Sequence, residues 1–288
     1  MSVTAALAPL LIVNGDDFGL TPGVTRGIVD AYRDGILRST SMLAVAPAFE
    51  LAAAMATSGD CDGLGIGAHL ALVGEDPPLL SPGEIPSLVD RRGNFFWSWR
   101  QFLARAATGR IDPADIRREL SAQLDRLECA GVPLTHLDTH QHLHLWPLVR
   151  SVVFDLARDR GIPAIRLTAS AGRGAVGTGV RQLTRRLQRA AAAVGVSHPS
   201  GFTGLDESGQ LDEGRLVRSI EWLAGQNVAS AEIGCHPGRE DDPERRRYRW
   251  GYTWPGELRA LCAPGVQEAV ARNGFRLGSF ADLVAVRH

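Results

Sequence analysis

Lysine is missing: among 288 residues all 31 basic side chains are arginine. Schiff-base catalysis, pyridoxal phosphate attachment and a Gly-rich phosphate loop ending in Lys-Ser/Thr each need that amine, so these chemistries are excluded. Cysteine is scarce too. Cys61, Cys129, Cys235 and Cys262 lie too far apart for a C-x-x-C pair, so no local thiolate zinc site or redox motif is present. A reducing, cytoplasmic setting is the expectation. No apolar run reaches the roughly 18 residues that a membrane span needs. Net charge is also nearly absent, at -1, which gives no support to nucleic-acid binding. The apolar start, Ala5 to Val13, has no positive residue before it and runs directly into an acidic motif, so it reads as a first strand rather than a signal core.

Histidine, by contrast, is concentrated. Four of the eight histidines, His136, His140, His142 and His144, fall between Leu134 and Leu145. If that stretch is extended as far as His140, residues 136, 138 and 140 share one side. Same-side neighbours on a strand lie about 6.6 Å apart, whereas ligands must sit about 2.0 to 2.2 Å from an ion. One strand therefore supplies one or two ligands at most, and the rest of any metal site must come from elsewhere.

A chain of this length with 44% hydrophobic residues fits one large α/β domain at least as well as two small ones. The run Leu10 to Val13 suits a buried parallel strand and ends in Asn14-Gly15-Asp16-Asp17-Phe18-Gly19. Thr21 and Pro22 then open a helix. Further strands are expected at Thr40 to Val45, Gly63 to Leu70, Leu134 to His140, Ala164 to Leu167, Ala229 to Cys235 and Phe275 to Leu277. Helices are expected at Ala48 to Ala56, Asp112 to Ala130, Pro147 to Asp159, Glu213 to Ala224 and within Gly256 to Asn273. This alternation argues for a parallel sheet, open or closed into a barrel. Residues 71 to 111 interrupt it with Pro77, Pro78, Pro82, Pro86 and the aromatic run Phe95-Phe96-Trp97-Ser98-Trp99, as lids and binding loops do. Arg181, Arg185 and Arg189 form a basic helical face that reads as solvated, with an anion or lipid headgroup contact as the alternative. Arg239 to Arg249 reads as an exposed polar loop.

Asp16/Asp17, His69, His140 and His236 each stand where an apolar strand gives way to a loop. In parallel α/β folds those strand ends gather at one face. Carboxylate and imidazole together suit zinc, cobalt, nickel or manganese, and three protein ligands leave a position for water. Each residue also has a plainer reading. Asp-Asp can be a turn and cap, His69 a satisfied core histidine, His136 and Asp138 sheet or supporting hydrogen-bond partners, and His236 part of a Pro-Gly turn. His140 and His144, four apart, could share an ion if helical, but the segment carries no helix start signal.

In order, Ile-Val-Asn-Gly-Asp-Asp-Phe-Gly, Gly-Ala-His-Leu, Thr-His-Leu-Asp-Thr-His-Gln-His-Leu-His and Cys-His-Pro-Gly resemble the YdjC-like carbohydrate deacetylases, the ChbG/HpnK family, over nearly the whole chain. The resemblance implies a distorted (β/α) barrel, related to NodB-type polysaccharide deacetylases, as a single domain over residues 1 to 288 with the 71 to 111 excursion as its lid. It also implies a divalent metal (zinc, magnesium, cobalt, nickel or manganese) and removal of acetyl from an N-acetylated sugar, oligosaccharide or glycolipid. By that resemblance Asp17, His69 and His140 hold the metal, Asp16 is the base, His236 the acid, and Arg166 steadies the base. Phe18, His142, His144, Trp146, Trp97 and Trp99 are candidates for touching substrate, the aromatic run serving otherwise as a small satellite core or a subunit contact in a homodimer. Two other readings stay open: a metal-dependent phosphoesterase or amidohydrolase, and a non-catalytic sugar- or metal-binding protein on the same fold.

Overall fold

The structure is a computed structural model that describes residues 8–285, so the first part of the expected Ala5 to Val13 strand lies outside the described residues. Strand β1 (Leu10–Phe18) is the hub. Along one edge, Leu10 to Gly15 pairs with β6 (Ser230–Cys235). The other edge is shared between β7 (Arg276–Gly278) at Leu10 to Ile12 and β2 (Ser39–Met42) from Asn14 to Phe18. Beyond β2 follow β3 (Gly65–Leu70) and β4 (Leu134–Thr139), while β5 (Gly201–Thr203) lies outside β6, every pairing being parallel. Two isolated parallel bridges, Leu137 with Ile165 and Ala164 with Ser197, carry the sheet from β4 to the segment that becomes β5. The sheet thus curls round on itself into the distorted barrel expected. The strand expected at Ala164 to Leu167 shrinks to those bridges, Leu137 N–H donating to Ala164 O at 3.0 Å and Arg166 N–H to Leu137 O at 3.1 Å.

Parallel neighbours need crossovers, and helices supply them. They are α1 (Pro22–Asp34), α2 (Phe49–Thr57), α3 (Trp99–Ala107), α4 (Pro113–Cys129), α5 (Pro147–Asp159), α6 (Ala175–Val194), α7 (Glu213–Gly225), α8 (Trp254–Leu261), α9 (Pro264–Arg272) and α10 (Phe280–Ala285). Thr21 caps α1 by accepting from Val24 N, and Asp112 caps α4 by accepting from Ala114 N, each with proline in the first turn. Their apolar stripes, Val24 and Ile28 on α1 and Ile116, Leu120, Leu124 and Leu127 on α4, are fully buried in the main core. No described helix is long and apolar enough to cross a membrane.

The inward face of the barrel is layered. At its floor Leu10, Ile12, Ala164, Phe280 and Leu283 form a cluster separate from the main core. The His136 ring stacks on Phe280 at 3.7 Å between centroids, and occupies the space a side chain at Gly67 would need. Burial holds that imidazole neutral, its pKa lowered to about 3. Above the floor the facing residues turn polar: Asn14, Ser41, Asp138, Arg166 and Glu232 are all fully buried.

The 71–98 excursion is pinned onto α4. Leu79 and Leu80 donate backbone N–H groups to Glu119, and Gln123 exchanges hydrogen bonds with the Ala71 backbone at 2.9 and 2.7 Å. Phe95 and Phe102 are buried and belong to the main core rather than to a satellite of their own, whereas Trp97 is 59% exposed. The basic face of α6 stands in solvent at Arg185 and Arg189, and Arg181 caps the Gly172 carbonyl. The arginine-rich loop is less free than its polarity suggested. Arg239 pairs with Asp30 at 2.6 Å, Arg247 with Asp76 at 2.8 Å, and Asp242 is buried.

Because Phe280 closes the floor and supports His136, Phe280→Ala is expected to cost about 3 to 5 kcal/mol, the usual range for removing a buried aromatic ring. Urea unfolding measures it; a loss below about 1 kcal/mol would show that the floor repacks.

Candidate functional site

Adjacent residues on a strand normally point to opposite faces. Asp16 and Asp17 do not, because the β1–β2 register slips between Gly15 and Phe18 and Asp17 adopts a left-handed backbone with φ of 69°. Such a bulge adds one residue and re-aims side chains. Both carboxylates thereby face the mouth of the barrel, and both are buried.

Three donors converge there. Asp17, His69 and His140 each bring a ligand-type atom within 4.8 Å of the others. Asp17 Oδ1 lies 3.4 Å from His69 Nε2 and 3.4 Å from His140 Nδ1, yet this buried oxygen has no hydrogen-bond partner. An orphaned buried carboxylate oxygen facing two imidazole nitrogens fits a divalent cation. Asp16, His69 and Asp138 also lie within that span. There, however, the carboxylate oxygens are already engaged by Arg166 and His69, which makes this second group the poorer receptor.

His69 is oriented from behind. Its Nδ1 lies 2.8 Å from Asp138 Oδ1, leaving Nε2 to face Asp17, as in the carboxylate–histidine–metal triads of metalloenzymes. Burial disfavours the imidazolium, but Asp138, then Asp16 and Asp17, outweigh it and raise the His69 pKa to about 9. Arg166, fully buried, donates to both oxygens of Asp16 at 2.6 Å, meets Asp138 Oδ2 at 2.7 Å and donates through Nε to Glu232 Oε1 at 2.7 Å. Burial would raise Asp16, but Arg166 holds its carboxyl well below the usual range. Glu232, more desolvated than Arg166 can offset, is pushed up to about 8. Asn14 donates to Asp16 Oδ1 at 2.8 Å. His236 Nε2 stands 4.0 Å from Asp16 Oδ2, while Glu257 accepts from its backbone N–H.

These groups open into a cavity of about 340 Å³ lined also by Trp99, His142, Trp250 and Tyr252. A concave site with a few convergent polar groups and aromatic walls is the usual form of a small-ligand site. The profile of the family described as YdjC-like protein matches residues 10–272. The chain belongs to the YdjC-like family. Among relatives of known name, the chitooligosaccharide deacetylase of Yersinia pestis (strain Pestoides F) is 33% identical over 277 residues, covering 95% of this chain and 98% of that protein. The same figures hold for the chitooligosaccharide deacetylase of Yersinia pseudotuberculosis serotype O:3 (strain YPIII). A crystal structure from Enterococcus faecalis V583, provisionally named a cellobiose-phosphate cleavage protein, superposes with a TM-score of 0.77 at 26% identity, covering 96% of this chain and 99% of that one.

Of the residues singled out in this YdjC-like sequence, Asp16, Asp17, His69, His140, Arg166 and His236 meet at the barrel mouth, with His142 and Trp99 on the cavity wall. Others lie elsewhere. Phe18 is fully buried in the core and does not face the cavity. His144 is held below the surface by Thr139 Oγ1 at 2.8 Å and Thr168 Oγ1 at 3.3 Å, its pKa lowered by burial to about 3. Residues 140–145 do form a 3-10 turn, but left-handed Gln141 and His142 break it, so His140 and His144 do not act as a helical pair. Trp146 lines a neighbouring cavity, and Trp97 projects into solvent. Sequence reasoning missed the aromatic cluster Tyr248, Trp250, Tyr252 and Trp254, whose rings pack at 5.2 to 5.5 Å and of which Trp250 and Tyr252 wall the cavity. Its signal was an aromatic at every second position across an otherwise arginine-rich loop.

In protein stripped of divalent cations, the His69 ring should titrate near 9 by NMR, not near the ordinary 6.5. A raised pKa means that its stabilisation is complete below about 6.5 and is lost as pH rises through about 9, on the order of 3 kcal/mol in all. A His69 resonance titrating at or below 6.5 would contradict the assigned environment.

Proposed function

We propose that the protein is a divalent-metal-dependent hydrolase that removes acetyl from an N-acetylated sugar of the chitooligosaccharide class. The observation that carries it is the unpartnered Asp17 oxygen facing His69 and His140 beside a second, guanidinium-held carboxylate. Family membership and the activity named for the Yersinia relatives support the same reading. Asp17, His69 and His140 would hold the ion, with zinc, magnesium, cobalt, nickel or manganese as candidates. When bound, it would supply Lewis acidity toward the acetyl carbonyl and lower the pKa of a bound water.

The rest falls to the chain. Asp16 is kept ionised by Arg166, so it can accept a proton from water attacking the acetyl carbon. Arg166 also fixes the direction of that carboxylate, because both of its oxygens are engaged. His236 stands 4.0 Å from Asp16 on the neighbouring strand end, where it would pass a proton to the departing amine. Trp250 and Tyr252 offer apolar faces on which pyranose rings can rest, and the 71–98 excursion, joined to that wall through the Trp250 Nε1–H donated to Glu75 Oε1 at 2.7 Å, would serve as the lid that excludes water.

Asp16→Asn is expected to lower kcat by about 10²- to 10⁴-fold, the usual worth of a general base, with metal content unchanged. Asp17→Ala, His69→Ala and His140→Ala should each reduce metal content measured by mass spectrometry to a small fraction of the parent's. Full occupancy in all three would refute the ligand set. Assaying acetate against phosphate release from N-acetylated and phosphorylated oligosaccharides decides between this activity and a phosphoesterase; phosphate release alone would overturn the proposal.

A further inference from the structure

Beside the reaction cavity lies a second one of about 430 Å³, and the two share Trp99, Gln141, His142 and Leu205 as common lining. Its own wall is predominantly apolar, made by Leu103 of α3, Leu143 and Trp146 after β4, and Val176, Val180 and Leu183 of α6. The polar groups at its rim, Ser170 and Asp206, are bonded to each other at 2.7 Å. A space this size and this apolar, sharing part of its wall with a reaction cavity, is suited to a hydrocarbon portion of the substrate.

The topology indicates which portion. His236 follows β6, and Gln141 and His142 follow β4. In the strand order β4-β3-β2-β1-β6, these two ends are separated by three strands on one side and by the 164–165 and 197–203 segments on the other. They therefore stand on opposing walls of the barrel mouth. An amide bound for hydrolysis must turn its nitrogen toward the proton donor, His236. Its acyl substituent, on the other side of the carbonyl carbon, then points toward Gln141, His142 and the apolar cavity. This shared lining is held in place, since Gln141 Oε1 accepts from Trp99 N at 2.8 Å and both Gln141 and His142 keep left-handed backbones with φ of 52° and 55°.

We infer that this second cavity receives the acyl chain on the substrate nitrogen, so that the protein hydrolyses N-acyl sugars with chains longer than acetyl. This rests on the amide hydrolysis proposed above. The C–N bond breaks, water supplies the hydroxyl to the acyl carbon and a proton goes to the amine, giving a free fatty acid and an amino sugar. No other co-reactant is needed.

Gly179 offers the test. It lines the apolar cavity from within α6, a Cβ there would meet nothing within 4 Å, and replacing a mid-helix glycine favours the helix. Using metal-loaded protein, kcat/KM would be measured for N-acetyl and N-hexanoyl chitobiose and for an octyl glycoside of N-acetylglucosamine, in the parent and in Gly179→Phe. The expected result is an N-hexanoyl to N-acetyl ratio of at least one in the parent that falls tenfold or more in the variant. Hydrolysis of N-acetyl with tenfold or greater rejection of N-hexanoyl in the parent would overturn the inference alone. So would an unchanged ratio in Gly179→Phe, or a loss confined to the octyl glycoside, which would assign the cavity to the aglycone. No hydrolysis of any amide would remove the parent proposal and this one together.

Discussion

The site depends on one buried cation. Arg166 has no solvent contact, and its guanidinium reaches Asp16, Asp138 and Glu232 at 2.6 to 2.7 Å. Removing such a charge from water is costly unless its hydrogen bonds are satisfied. Here the rigid, planar donor set makes four contacts to carboxylates arriving from three different parts of the sheet. The consequence is orientation. Asp16 is gripped at both oxygens, and Asp138, held on one oxygen, presents the other to His69 Nδ1, so that the ring turns Nε2 toward Asp17. A lysine could not bind three carboxylates in one plane, and the absence of lysine from the chain costs this site nothing.

The second constraint is in the backbone. Residues outside glycine with φ in the left-handed region are few, and three of them, Asp17, Gln141 and His142, stand at the barrel mouth. Strain of this kind persists only where surrounding packing over-determines it, and it collects at functional sites. At Asp17 it turns a strand's alternating pattern into two carboxylates with one address. At Gln141 and His142 it shapes the segment that lines both cavities.

Most of the strand and helix pattern was legible, because apolar runs bounded by caps and prolines carry their own signals. Thr21-Pro22 and Asp112-Pro113 begin helices where they should. The strand expected around Arg166 was not realised, because residues 164–165 are bridged on both sides without forming a continuous ladder. Phe18 and His144 illustrate the opposite limit. Each sits in a motif beside the cluster, yet one is absorbed by the core and the other by Thr139 and Thr168. Proximity in sequence to a site says little about which way a side chain points. The alternating aromatics from Tyr248 to Trp254 were visible but hidden within an arginine-rich loop whose polarity suggested solvent.

Composition and motif spacing alone narrowed the chemistry: which catalytic groups were absent, which acids and imidazoles stood at strand ends, and that distant segments had to cooperate. Those are local properties, carried by residue type and by the period of the hydrophobic pattern. Only the tertiary structure decided that a left-handed break at Gln141 and His142 keeps His144 out of the group formed by Asp17, His69 and His140, that Asp138 and Glu232 flank the buried arginine, and that an apolar chamber adjoins the cleft. Such facts depend on register, on a one-residue bulge and on which helix covers which strand, and these arise from contacts between residues far apart in the chain.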